Sequence, residues 1–201
     1  MDAPAALKAW SELVSRWSAD LFGVSGPLDP PELEAGKLIF WADGSDSWEF
    51  GVSVSEDDPP VFAREVDSDW VPVQESLSEF LLHVTVLESA IGAADQCSAR
   101  AVPVERLSGI VSGYRALPLP ALPCPSMDVR IYVGPDSLLQ ISESVSDLTA
   151  PKGQLFDVSV SALVPASIDE VMERHPEIAW KRYSAAVAEG FSPDDLPEFL
   201  R

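Results

Sequence analysis

The chain has 201 residues, 46% of them apolar, enough to bury a core and too many for global disorder. It carries 33 acidic against 13 basic side chains, a formal charge of −20. A surface of that sign repels phosphate backbones and anionic lipid headgroups, so nucleic acid and membrane are not expected as partners, and a basic protein is.

In chain order, Leu7, Trp10, Val14, Trp17 and Leu21 recur at helical spacing, with Pro4 suited to the first turn and Gly23 to the stop. The tryptophan stripe reads as core. Ser25 to Pro31 holds Gly26, Pro27, Pro30 and Pro31, which predicts no regular structure. Lys37 to Ala42 is almost wholly apolar, as expected of a central strand covered on both faces. After a turn at Asp43-Gly44, Trp48, Phe50, Val52 and Val54 alternate with Glu49, Gly51, Ser53 and Ser55. Gly51 within that strand points to a bulge or a close approach. Pro59 and Pro60 cannot continue a central ladder, so Val61 to Val66 is predicted as a short strand near an edge. Ser68 to Val73 is predicted as a loop holding Trp70. Ser76 and Glu79 fit a capping box, opening a helix with Leu77, Phe80, Leu81, Val84, Leu87 and Ile91 on one face. His83 lies off that stripe and is expected on the surface.

Residues 92–126 read as a proline-rich connection, with a short helix over Val104 to Val111 and a rigid spacer through Pro118, Pro120, Pro123 and Pro125. Met127 to Val133 alternates as a strand, Gly134-Pro135-Asp136 turns it, and Ser137 to Ser142 returns. Leu155 to Leu163 is a further strand, with Leu155, Val158 and Val160 expected inward. Residues 164–201 read as a helical segment: a helix capped at Ser167 that stops before Pro176, then another over Glu177 to Glu189 with Gly190 as its stop. Strands and helices mix without βαβ alternation, which predicts one α+β domain over 1–201, a mainly antiparallel sheet with helices packed on it.

The composition gives little chemistry. There is no glycine-rich phosphate loop, HExxH motif or nucleophile elbow. Cys97 and Cys124 form no CxxC pair, and the two histidines do not complete a ligand set with them, so free thiols and no metal or cofactor are expected. No stretch approaches the roughly 20 apolar residues of a membrane span, and the N-terminus lacks a basic region before an apolar block, so a cytoplasmic location is expected. The charge map says more. Between Asp43 and Glu79 there are eleven acids, and Arg64 is the only Lys or Arg. They fall on predicted turns, strand ends and outward faces, which suits either a solvated surface or a docking face for a cationic protein. Asp57, Asp58, Glu65, Asp67 and Asp69 would supply the charge of such a face, and Trp70 an aromatic anchor.

Several features in this order resemble the SUKH superfamily, the group related to the Syd protein and to a fungal cell-wall-assembly regulator. They are the strand Leu38-Ile39-Phe40, its partner with Trp48 and Gly51, Asp57-Asp58-Pro59-Pro60-Val61, Trp70-Val71-Pro72, and Ser76-Leu77-Ser78-Glu79-Phe80-Leu81. The resemblance covers about residues 28–91. It implies an α+β fold, no catalysis, and for many bacterial members an immunity role, the neutralisation of a cognate polymorphic toxin, often a nuclease. An acidic blocker suits a basic nuclease because it can imitate phosphate charge. A SUKH-like intracellular adaptor unrelated to toxins is the alternative that the resemblance leaves open.

Overall fold

The structure is a computed structural model that describes residues 3–16, 26–34, 36–45, 47–54, 56–124, 128–144 and 153–184. The described residues fall into two compact units, one within Met1–Gly92 and Pro120–Asp128, the other within Ala93–Leu119 and Val129–Arg201. The expected α+β architecture is what the chain adopts, with the strands divided between two antiparallel sheets.

In the first unit, α1 (Ala5–Val14) begins behind Pro4 and buries Leu7 and Trp10. Trp17, Leu21 and Gly23 lie outside the described residues. The strands β1 (Gly26–Glu34), β2 (Lys37–Ala42), β3 (Trp48–Ser53), β4 (Pro60–Glu65) and β5 (Val71–Ser76) pair in chain order as a meander. β1 corrects the expectation of irregular chain over Ser25 to Pro31. It is an edge strand, and its register shifts between Pro27 and Glu32, so the region of Pro30 and Pro31 takes up the irregularity. A missing N–H is tolerated at such a place. β5 likewise starts at Val71, within the predicted loop.

β2 buries Ile39, Phe40 and Trp41 in succession, as a strand covered on both faces must. Its register with β3 shifts between Ile39 and Trp41. That bulge lets two consecutive side chains reach one helix residue. The rings of Phe40 and Trp41 both meet Phe80 edge-on, with centroids 5.6 and 6.2 Å away, and Phe50 lies 4.8 Å from it.

Phe80 belongs to α2 (Leu77–Ile91), whose predicted capping box is present. Its first three amides, which have no partner within the helix, each find an acceptor. Leu77 N–H donates to the Pro59 carbonyl at 2.9 Å, Ser78 N–H to Asp58 Oδ1 at 2.7 Å and Glu79 N–H to Ser76 Oγ at 3.5 Å. α1 is tied to α2 where Trp10 Nε1 donates to Thr85 Oγ1 at 3.0 Å. His83, expected at the surface, is fully buried, with Nδ1 3.0 Å from Glu75 Oε1. α2 buries more than one stripe, since Glu88 and Ala90 are covered as well, and Glu75 of β5 supplies the polar partner that a buried imidazole requires.

The second unit contains β6 (Asp95–Pro103), α3 (Val104–Ile110), β7 (Arg115–Ala116), β8 (Arg130–Val133), β9 (Ser137–Glu143), β10 (Leu155–Ala162), α4 (Pro165–Arg174) and β11 (Lys181–Ser184). The sheet order is β11-β6-β10-β9-β8-β7, every neighbour antiparallel. The stretch read as a connection therefore supplies a central strand, β6, which is buried on alternate residues from Asp95 to Ala99. The predicted short helix follows it as α3. Three further corrections concern the last third of the chain. In β10 the inward residues are Phe156, Val158, Val160 and Ala162, so Leu155 has the opposite parity. α4 is capped at Val164 with Pro165 in its first turn and not at Ser167, although it stops before Pro176 as expected. Lys181–Ser184 pairs with β6 as an edge strand where a helix was predicted, while residues 185–201 lie outside the described residues. Cross-strand partners decide such a short polar segment more than its own propensity. α3 and α4 close the core on one sheet face, with Ile110, Ile168 and Val171 against Cys97, Leu139 and Val160. Cys97 and Cys124 are buried and not joined in a disulfide, and burial, partly opposed by Arg182, pushes the Cys97 thiol up to about 11. Among the described residues no helix is long and apolar enough to cross a membrane.

Candidate functional site

The six residues read as a docking face lie at the two ends of β4. Asp57 and Asp58 precede it, and Glu65, Asp67 and Asp69 end and follow it. A six-residue strand separates the groups by about 20 Å. The structure therefore forms two acidic margins.

At the first margin the residues hold helices. The Asp57 carbonyl accepts Ala6 N–H of α1 at 3.3 Å. Asp58 grips α2, taking Ser78 N–H on one carboxylate oxygen and Ser78 Oγ–H on the other, both at 2.7 Å. Desolvation works to raise the Asp58 carboxyl, but the Ser78 hydroxyl and amide, with Ser76, outweigh it and hold it below the usual carboxylate range. The negative charge also lies at the positive end of the helix dipole.

The second margin is the turn from β4 to β5. It lies beside the turn from β2 to β3, joined by Val66 N–H donating to the Ser47 carbonyl at 2.8 Å. Glu65, Asp67 and Asp69 are all exposed, and among the described residues their side chains make no ion pair. Asp67 has φ of 67°, a conformation that Asp and Asn adopt more readily than most side chains. Asp43, in the neighbouring turn, is 6% exposed and accepts Ser47 N–H and Trp48 N–H, each at 2.8 Å, together with the Ser45 hydroxyl. Asp43 and Glu75 are thus buried structural acids, not part of the outward charge expected from the sequence. Asp46 lies outside the described residues.

Trp70 follows this turn and folds back over the sheet. A Cβ placed on Gly51 would lie 3.0 Å from the far edge of the indole, so the glycine provides the seat for that ring. The Arg64 guanidinium stands 4.5 Å from the ring centroid and bridges Glu34 and Glu49. Chiefly the Glu34 contact, with burial opposing and Glu49 adding, raises the Arg64 pKa above its ordinary value. The ring is half-buried, and its Nε1 is buried with no hydrogen-bond partner among the described residues. Lys37 repeats the theme on the same sheet, 3.3 Å from the Phe62 ring centroid and 2.9 Å from Ser53 Oγ.

The sequence pointed to Gly51 as a place of close approach and to Trp70 as an aromatic of interest. It gave no sign that one seats the other or that Arg64 is consumed by Glu34 and Glu49, because those contacts depend on register. Among the described residues no three of His, Cys, Asp and Glu come together as a metal site. Compared with protein-family models, with curated proteins and with solved structures, the chain matches none.

Proposed function

We propose that the chain is a non-enzymatic, SUKH-like protein of the immunity type, which binds a basic toxin domain by its acidic surface. The observation that carries this reading is the β4–β5 turn. Three exposed carboxylates, Glu65, Asp67 and Asp69, project there without a basic partner among the described residues, next to a half-buried tryptophan. The one arginine of the stretch is held by Glu34 and Glu49 and does not neutralise them. Unpaired charge around an aromatic suits an interface with a cationic protein, where charge steers the encounter and the ring contributes buried area. Asp57 adds charge at the other margin, whereas Asp58 is engaged in holding α2. The partner class is a basic protein, with a nuclease domain as the leading case, and the activity requires no cofactor.

The test is capture from the host cell with the full chain as bait, against a bait carrying Glu65→Lys, Asp67→Asn and Asp69→Lys. Asn is used at position 67 because of its positive φ. A basic protein retained by the first bait and lost from the second is expected. Equal retention by both would show that this turn is not the binding surface. A toxin gene beside this one would favour immunity over the adaptor role.

A further inference from the structure

The second sheet carries a cleft of mixed lining on the face away from α3 and α4, where Ala99, Val129 and Val158 add apolar surface beside the polar side chains. Cys97, Val160 and Leu139 point into the helix-covered core, so their neighbours Ser98, Ser159 and Gln140 occupy the other face. Those three lie in one rung across β6, β10 and β9. In the next rung Asp157 pairs with Ser142, opposite the β6 bulge that contains Arg100 and Ala101. The small Ser159 side chain between its larger neighbour Gln140 and Ser98 leaves space, and the cavity over these strands measures about 140 Å³. That holds roughly five waters, or one organic molecule of about six to eight heavy atoms.

The lining has a definite chemical character. Arg100 and Asp157 line the same cavity from adjacent strands, yet neither forms an ion pair among the described residues. Asp157 uses Oδ1 to accept Ala101 N–H at 3.0 Å, which pins the bulge at its positive-φ residue. The Gln140 amide nitrogen is buried without a hydrogen-bond partner among the described residues. Ser98, Ser142 and Ser159 add hydroxyls. The cleft thus has one cation, the exposed Arg100, one anion, Asp157, and several neutral donors along its lining. A plain anion would be opposed by the field of a chain with formal charge −20. A molecule bearing both charges would not be.

We infer that this cleft binds a small zwitterionic α-amino acid, its carboxylate at Arg100 and the serine hydroxyls, its ammonium at Asp157. The inference is independent of the acidic turn in the first unit. The test is titration of the isotope-labelled full chain with L-serine, followed by NMR of the Ala101 backbone amide and the Gln140 side-chain amide. Saturable shifts at both, with Kd of about 10 mM or tighter, are expected. L-lactate, which lacks the ammonium, and ethanolamine, which lacks the carboxylate, should each bind at least about tenfold more weakly. Arg100→Met should weaken L-serine by a similar factor, and Ser159→Leu should abolish binding by filling the floor. These two variants leave the Asp157–Ala101 hydrogen bond in place, so a preserved spectrum elsewhere certifies the fold. Absence of saturable shifts, equal binding of lactate, or indifference to Arg100→Met would each overturn the assignment.

Discussion

Gly51 and Trp70 illustrate how one side chain is placed by the lack of another. An added methyl at Gly51 would meet the indole at 3.0 Å and the Leu38 carbonyl at 3.3 Å. Gly51→Ala should therefore lift Trp70 from its seat, at a cost of about 1–3 kcal/mol. A red shift in tryptophan emission together with a lower urea midpoint would show it, and an unchanged midpoint would mean that the ring is not confined there. Asp58 is the second residue with a measurable role. Asp58→Asn should cost about 0.5–1 kcal/mol, the low end of cap values because the pair is exposed. Its folded pKa lies below the ordinary value, so its stabilisation is present above the unfolded pKa and is lost as pH falls through the folded one. Denaturation curves of the two proteins should accordingly be offset at neutral pH and converge below about pH 4.

At the scale of elements, α2 organises the first sheet through Phe80 and through the Glu75–His83 contact with β5. Phe80→Ala removes the ring that Phe40, Trp41 and Phe50 share, and a loss of about 3–5 kcal/mol is expected. Glu75→Ala would leave the fully buried His83 without its partner, and about 2–4 kcal/mol should be lost in urea denaturation. Replacing both residues by leucine should cost less than that single change, because no polar group is then left orphaned. These elements also show what periodicity could reveal. The capping box at Ser76 and the stripe from Leu77 to Leu87 were legible because helix signals are local. The alternation that buries Phe50 and Val52 was legible for the same reason. β1 was hidden by its prolines, which an edge strand tolerates, and β11 by a polar composition that gains strand character only from pairing with β6. His83 was misplaced because its partner, Glu75, lies eight residues away on another element.

For the whole molecule, the net charge predicts an encounter with a basic partner that is fast and sensitive to salt, but totals do not say which acids take part. Among the described residues, the fold divides the acids of this stretch into buried ones such as Asp43 and Glu75, engaged ones such as Glu49 and Asp58, and the group of Glu65, Asp67 and Asp69, which has no ion-pair partner there. Only a fold can make that division, since it depends on which strand end meets which turn. The central claim is that this last group receives a cationic protein. The association rate of the captured basic partner, measured across ionic strength for the parent chain and for the Glu65→Lys, Asp67→Asn, Asp69→Lys variant, tests it most directly. The variant should associate at least about tenfold more slowly at low salt, with a flatter salt dependence. Superimposable salt profiles for the two chains would contradict it.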